Sequence, residues 1–224
     1  MKIAEIFYSV QGEGALVGVP SVFIRTSGCN LRCSWCDTPY TSWHPEGTDL
    51  SIDEIVARLD EFPAARHVVL TGGEPMIAPG IAELSNRMRE RGVHITIETA
   101  GTVYHDVACD LMSISPKLSN STPDGPFRAQ HERLRIQPET LRLLMSLCDY
   151  QLKFVVAHET DIGEMRNLIE DLGAQAGKVV LMPEGIDGET LNRRGVWLAE
   201  VCKTYGYRFS PSLHVLLWGN KRGI

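Results

Sequence analysis

A chain of 224 residues, 43% hydrophobic and 22% charged, is long enough to bury a substantial core without disulfides or metals, so any metal it carries serves chemistry rather than folding. A formal net charge of −6 argues against a polyanion as direct substrate, because nucleic-acid binders gather lysine and arginine against phosphates; a small molecule fits better. No apolar run approaches the ~20 residues that span a bilayer, and Met1-Lys2-Ile3-Ala4-Glu5 lacks the layout of a signal peptide, so a cytoplasmic chain without membrane or nucleic-acid partner is expected.

In chain order, short β-branched runs alternate with amphipathic ones. Strands are predicted over residues 21–25, 67–70, 93–98, 111–115, 151–156 and 178–181. Helices are predicted over 51–62, 80–91, 159–172 and 189–205, the first with Ser51 as N-cap and Glu54 three residues on in a capping box. Residues 117–135, with Pro123, Asp124, Gly125 and Pro126, have no period and read as a surface excursion without an assigned role. No repeat, low-complexity tract or linker divides the chain, so residues 1–224 are expected to form a single domain. Alternating elements with near-continuous apolar strands imply an α/β fold with a mostly parallel sheet, either doubly wound or a whole or partial barrel. Either way the ligand site is expected at the carboxyl ends of the strands.

Of six cysteines, Cys109, Cys148 and Cys202 are scattered and read as small buried hydrophobes. The other three fall in Cys29-Asn30-Leu31-Arg32-Cys33-Ser34-Trp35-Cys36, whose C-x3-C-x2-C spacing lets three thiolates of one loop converge on a metal centre. A cubane cluster has four irons and usually takes four cysteines, so three leave one iron a vacant position where a reactant can bind. The competing readings are a zinc site completed by a ligand such as His44, or three thiols without metal. A zinc knuckle, however, usually supplies two separated pairs of ligands, and no second pair exists here.

Further motifs follow the predicted strands. In Thr71-Gly72-Gly73-Glu74-Pro75 the glycines let backbone approach a ligand and Glu74 offers a negative charge to an ammonium, although a tight strand-to-helix turn uses the same residues. Glu98 in Ile97-Glu98-Thr99-Ala100-Gly101, Lys117 in Ser115-Pro116-Lys117, and Met182-Pro183-Glu184-Gly185 close later strands in comparable positions.

The cysteine spacing resembles the signature of the radical S-adenosylmethionine (SAM) superfamily. That resemblance implies a partial (β/α) barrel of the radical SAM type and a 4Fe-4S cluster on Cys29, Cys33 and Cys36, with SAM at the open iron. It puts Trp35 near the adenine, Cys36 and Asp37 beside the cofactor, and Gly73 and Glu74 at its amino group. Glu98 falls near the ribose hydroxyls, Lys117 faces the SAM carboxylate from Ser115-Pro116-Lys117, and Met182 and Pro183 complete the cofactor set.

Two further segments narrow the resemblance: Glu5-Ile6-Phe7-Tyr8-Ser9-Val10-Gln11-Gly12-Glu13-Gly14, and Cys36-Asp37-Thr38 closing the cluster loop, with Arg25 four residues before the first cysteine. Together with the C-terminal segment from Leu213-His214 to Ile224, they are similar to the 7-carboxy-7-deazaguanine synthase family. The resemblance implies ring contraction of 6-carboxy-5,6,7,8-tetrahydropterin to 7-carboxy-7-deazaguanine, a step towards queuosine. Val10, Gln11, Gly12, Glu13, Arg25, Thr71 and His214, the last read on a strand, would meet the pterin, with Arg25 against a carboxylate. Thr38 would bind Mg2+ with Asp37 nearby, a flavodoxin or ferredoxin would donate electrons, and the protein would be a homodimer. No side chain is required as a nucleophile. Taken without the resemblance, Gln11 to Gly14 is a flexible turn and Arg25 a surface charge. The rivals are a radical SAM activating enzyme acting on a protein partner, which needs no pterin-reading segment or Mg2+, and a zinc-binding module.

Overall fold

The computed structural model describes residues 1–224. Nine strands form one sheet: β1 (Lys2–Val10), β2 (Pro20–Thr26), β3 (Thr48–Asp49), β4 (His67–Gly72), β5 (His94–Thr99), β6 (Leu111–Ile114), β7 (Asp149–Val156), β8 (Val179–Pro183) and β9 (Arg208–Phe209), in spatial order β3-β1-β2-β4-β5-β6-β7-β8-β9. From β2 to β9 every neighbouring pair is parallel; β1 pairs antiparallel with β2 and β3. A doubly wound sheet reverses its strand order at a switch point, whereas here the order never reverses beyond β2. With right-handed crossovers that order stacks the helices on one face, which is the partial-barrel alternative.

Eight helices connect or flank the strands: α1 (Pro39–Ser42), α2 (Ile52–Ala57), α3 (Ile81–Glu90), α4 (Arg128–Leu134), α5 (Pro138–Leu147), α6 (Asp161–Leu172), α7 (Gly188–Tyr205) and α8 (Leu213–Trp218). Ser51 caps α2 by accepting from the Glu54 N–H while the Glu54 side chain accepts from the Ser51 N–H, the reciprocal box expected from the sequence. The helical face of the sheet carries Val22, Ile24, Leu70, Ile97, Met112, Phe154 and Leu181, packed with Leu84, Leu144, Met165 and Leu198 from the helices in one core. Burying each such side chain contributes ~1.5–3 kcal/mol.

Three findings depart from the expectations. The strands β1, β3 and β9 and the helices α1, α5 and α8 were not anticipated; α5 opens with Pro138 at its first turn and buries Leu141 and Leu144 three residues apart. The excursion over 117–135 is partly helical, carrying α4. His214 lies on α8, not on a strand, because the chain turns at Ser212 and the next six residues close helical hydrogen bonds. No helix is long and apolar enough to cross a membrane.

Candidate functional site

Alternation along the strands decides what the other face of the sheet carries. Successive side chains point to opposite sides, so wherever Val22, Leu70, Ile97, Phe154 and Leu181 enter the core, their neighbours face away from it. Those neighbours, Phe23 and Arg25 of β2, Thr71 of β4, Glu98 of β5, Lys153 and Val155 of β7 and Met182 of β8, line a cavity of about 230 Å³. The loop with Cys29, Cys33, Trp35, Cys36, Asp37 and Thr38 lines the same cavity, as do Gln11, Gly12, Glu13, Gly73, Ser115, Lys117 and His214. Most of the residues singled out along 200 positions of sequence thus share one space at the carboxyl ends of the strands.

Hydrogen bonds hold the N-terminal segment against the wall. Glu98 accepts from Gln11 Nε2 at 3.0 Å on one oxygen and from Thr71 Oγ1 at 2.9 Å on the other, and Gln11 Oε1 accepts from the Glu13 N–H at 3.1 Å. The Gly12 carbonyl accepts from the Leu213 N–H at 2.9 Å, which brings α8 over the turn. A Cβ on Gly12 would lie 2.1 Å from His214 Nδ1, so only glycine allows this approach. Arg25 donates from Nε to Glu5 at 2.7 Å, and Tyr40 donates to the same oxygen, so the guanidinium is fixed by one nitrogen only.

Across the cavity, Lys117 donates to Ser115 Oγ at 2.7 Å and lies 5.7 Å from the Trp35 ring centroid, a cation over an aromatic face. Trp35 Nε1 donates to the Asn120 carbonyl at 3.0 Å, and the Ser34 N–H donates to the Ser121 carbonyl at 2.9 Å. The Arg32 N–H donates to Nδ1 of the buried His131 on α4, whose Nε2 pairs with Ser121 Oγ at 2.9 Å. The apparent surface excursion is therefore the clamp on the cysteine loop. The C-terminal segment also acquires a place: Asn220 and Ile224 line the cavity.

Glu74 requires a correction. Its carboxylate is fully buried and accepts from the Met76 N–H at 3.0 Å, Thr99 Oγ1 at 2.7 Å and the Ala100 N–H at 2.8 Å, so it braces the turn after β4 and does not line the cavity. Burial pushes its carboxyl above the ordinary range despite these donors. Gly73 does line the cavity, and a Cβ there would meet the Gly28 carbonyl oxygen at 2.3 Å. Val10, Pro116 and Pro183 likewise stand behind the wall, shaping the backbone rather than facing the space.

The cysteine loop has the chemistry of a cluster site. Burial pushes the Cys29 thiol up to about 12, reinforced by the charge of Glu74, and pushes Cys33 up to about 11, so iron must displace protons to bind. Leu31 donates its N–H to Cys29 Sγ at 3.4 Å, and Ser42 Oγ lies 3.2 Å from Cys36 Sγ. Cys29, Cys33 and Cys36 all line the cavity while His44 is exposed away from it, and a cubane takes each sulfur on a different iron. Thr38 Oγ1 stands 3.5 Å from Asp37 Oδ1, a sparse oxygen pair of the kind that Mg2+ accepts when water and substrate complete its shell. Of the remaining cysteines, Cys148 Sγ lies 3.0 Å from Cys109 Sγ, and neither lines the cavity.

A family model described as the radical SAM superfamily matches residues 23–156, and the curated 7-carboxy-7-deazaguanine synthase of Halobacterium salinarum is 44% identical over 98% of this chain and 91% of its own. The chain belongs to the 7-carboxy-7-deazaguanine synthase family of radical SAM proteins. The synthase of Rhodopirellula baltica is 45% identical over 100% of this chain and 88% of its own. The crystal structure of QueE from Escherichia coli superposes with a TM-score of 0.70 at 27% identity, covering 95% of this chain and 94% of that one, and bears out the partial barrel. Membership implies a 4Fe-4S cluster and SAM, and the three cysteines that share the cavity fit that implication.

Sequence reasoning missed Phe7, Phe23, Ser113 and, most consequentially, Lys153. A signal for Lys153 was present: in Gln151-Leu152-Lys153-Phe154-Val155-Val156 a charge interrupts an apolar run at the position that strand alternation puts opposite Leu152 and Phe154.

Proposed function

We propose that this chain converts 6-carboxy-5,6,7,8-tetrahydropterin to 7-carboxy-7-deazaguanine with loss of ammonia, within a single domain. The observation that carries this reading is the joining of three elements in one cavity: the three-cysteine loop, the Gln11-Gly12-Glu13 turn with His214, and the half-used guanidinium of Arg25. The cluster and SAM, when bound, supply the one-electron chemistry that starts the reaction. Cys29, Cys33 and Cys36 hold the cluster; Trp35, Asp37, Gly73, Glu98, Ser115, Lys117 and Met182 surround SAM. Glu98 orients the Gln11 turn as well, since both of its oxygens already accept hydrogen bonds from Gln11 and Thr71.

On the substrate side, Glu13 and the backbone of Gln11 and Gly12 meet the amide and amino edge of the pterin, while Arg25 pairs with its carboxylate. Thr38, beside Asp37, holds Mg2+ together with that carboxylate. The remaining walls exclude water and stray hydrogen donors. The protein works as a cytoplasmic homodimer supplied with electrons by a flavodoxin or ferredoxin.

The test is anaerobic incubation of iron-reconstituted, dithionite-reduced protein with SAM, Mg2+ and the tetrahydropterin, following 7-carboxy-7-deazaguanine by mass spectrometry. Product is expected from the wild-type chain and none from Cys33→Ala. SAM cleavage without product would discard the substrate assignment, and the absence of both would discard the reading.

A further inference from the structure

Lys153 sits on β7 between Leu152 and Phe154, where its neighbours bury aliphatic and aromatic carbon. Its side chain is 8% exposed, lines the cavity and forms an ion pair with Glu13 across 140 residues of sequence. Burying an ammonium costs several kcal/mol unless a partner offsets it, and an apolar pair in its place often serves stability as well. A wall that only had to be stable would not need this lysine. The charged groups facing the pair come from four other elements: Glu98 on β5 and Asp37 on the cysteine loop face Lys153, while His214 on α8 and Lys117 after β6 face Glu13.

The two partners act on each other. Burial would raise the Glu13 carboxyl, but the ammonium of Lys153, and after it His214, outweighs burial and holds it below the ordinary range. Burial would likewise discharge Lys153, yet Glu13 and Glu98 keep it protonated. An ionised carboxylate only accepts hydrogen bonds, whereas a protonated one also donates.

We propose that Lys153 is a positioning residue for substrate selection: paired with Glu13, it fixes that carboxylate as a pure acceptor, so the cavity takes the donor edge of a 2-amino-4-oxopteridine and rejects a 2,4-dioxo ring. The rejected ring presents a carbonyl where the amino group would donate, and two facing acceptors leave a buried group unpaired, which discriminates more strongly than shape does. This inference rests on the reading of Glu13 as the side chain that meets the pterin edge.

The test is anaerobic equilibrium dialysis with the reconstituted protein, its cluster left oxidised so that nothing turns over, in the presence of SAM and Mg2+. The ligands are 6-carboxytetrahydropterin and its 2,4-dioxo counterpart. Lys153→Met is expected to weaken pterin binding roughly tenfold and to lose a similar factor of preference over the dioxo ring. In that variant Glu13 loses the ammonium that opposes its burial and takes up a proton more readily, so pterin affinity is expected to climb with pH, while the wild-type affinity stays nearly level. Lys153→Arg is expected to restore both preference and level profile. Should Lys153→Met fail to take up a cluster, Lys153→Gln, which keeps a hydrogen bond without the charge, carries the same measurement. If Glu13→Gln leaves pterin affinity unchanged, the reading of Glu13 falls and the inference with it. If Glu13→Gln weakens binding but the uncharged Lys153 variants keep wild-type preference and a level profile, the inference alone is overturned.

Discussion

At Gly12 one hydrogen atom fills the space a side chain would need, with His214 Nδ1 2.1 Å from where a Cβ would stand. Gly12→Ala must push His214 or the turn aside, and both face the cavity. The expected outcome is a KM for the pterin raised on the order of tenfold with kcat and SAM binding little changed, since the lost contacts bind substrate without touching the reacting bond. Steady-state kinetics at varied pterin and varied SAM separate the two. Glu74 makes the complementary point at this scale. An acidic residue after paired glycines reads as a partner for a ligand's ammonium, but three internal donors have already claimed its oxygens. The motif was legible, its direction was not, because nothing in Gly72-Gly73-Glu74-Pro75 says which way a side chain turns.

The element that most changes meaning between sequence and fold is the stretch around α4. Its lack of period is real, since it is built from turns and a seven-residue helix, but irregular structure here does a specific job: it receives hydrogen bonds from Arg32, Ser34 and Trp35. Such contacts join residues about 100 positions apart and leave no periodic trace. The clamp also has a pH sense. His131 accepts the Arg32 N–H at Nδ1, so it must be neutral with its proton on Nε2 facing Ser121. Burial holds its pKa below the ordinary histidine value of 6.5. The depressed folded value means that its contribution is present in full above 6.5 and is lost as pH falls below that towards the folded pKa, because the unfolded chain takes the proton first. Thermal midpoints of the cluster-free protein are therefore expected to fall between pH ~7.5 and ~5.5, and to fall less in His131→Asn. An equal drop in the variant would remove His131 as the cause.

For the molecule as a whole, the sheet was the most legible part. All six predicted strands exist, because near-continuous Val, Ile and Leu runs bounded by helices have few other solutions. What the runs concealed was their second face: Val22, Ile24, Leu70 and Phe154 mark the core, while Arg25, Thr71 and Lys153 between them mark the cavity. Phe154 is the largest fully buried side chain and stands directly beside Lys153 in the chain. Phe154→Ala is expected to cost ~3–5 kcal/mol, which for a chain of this size lowers Tm on the order of 10 °C in calorimetry. A fall of only a degree or two would mean that the core repacks around the gap.

The site is stitched shut by contacts between the two extremes of the chain: the Gly14 N–H donates to Ser210 Oγ across 196 residues, and Leu213 reaches back to Gly12. Contacts so far apart in sequence close late, because the loop between their ends must be ordered first. During synthesis, Cys29, Cys33 and Cys36 leave the ribosome long before the segment that completes the cavity around them. The nascent protein therefore passes through a stage in which its metal-binding thiols are already made and still open to solution, a window in which iron can be delivered and oxygen can do harm.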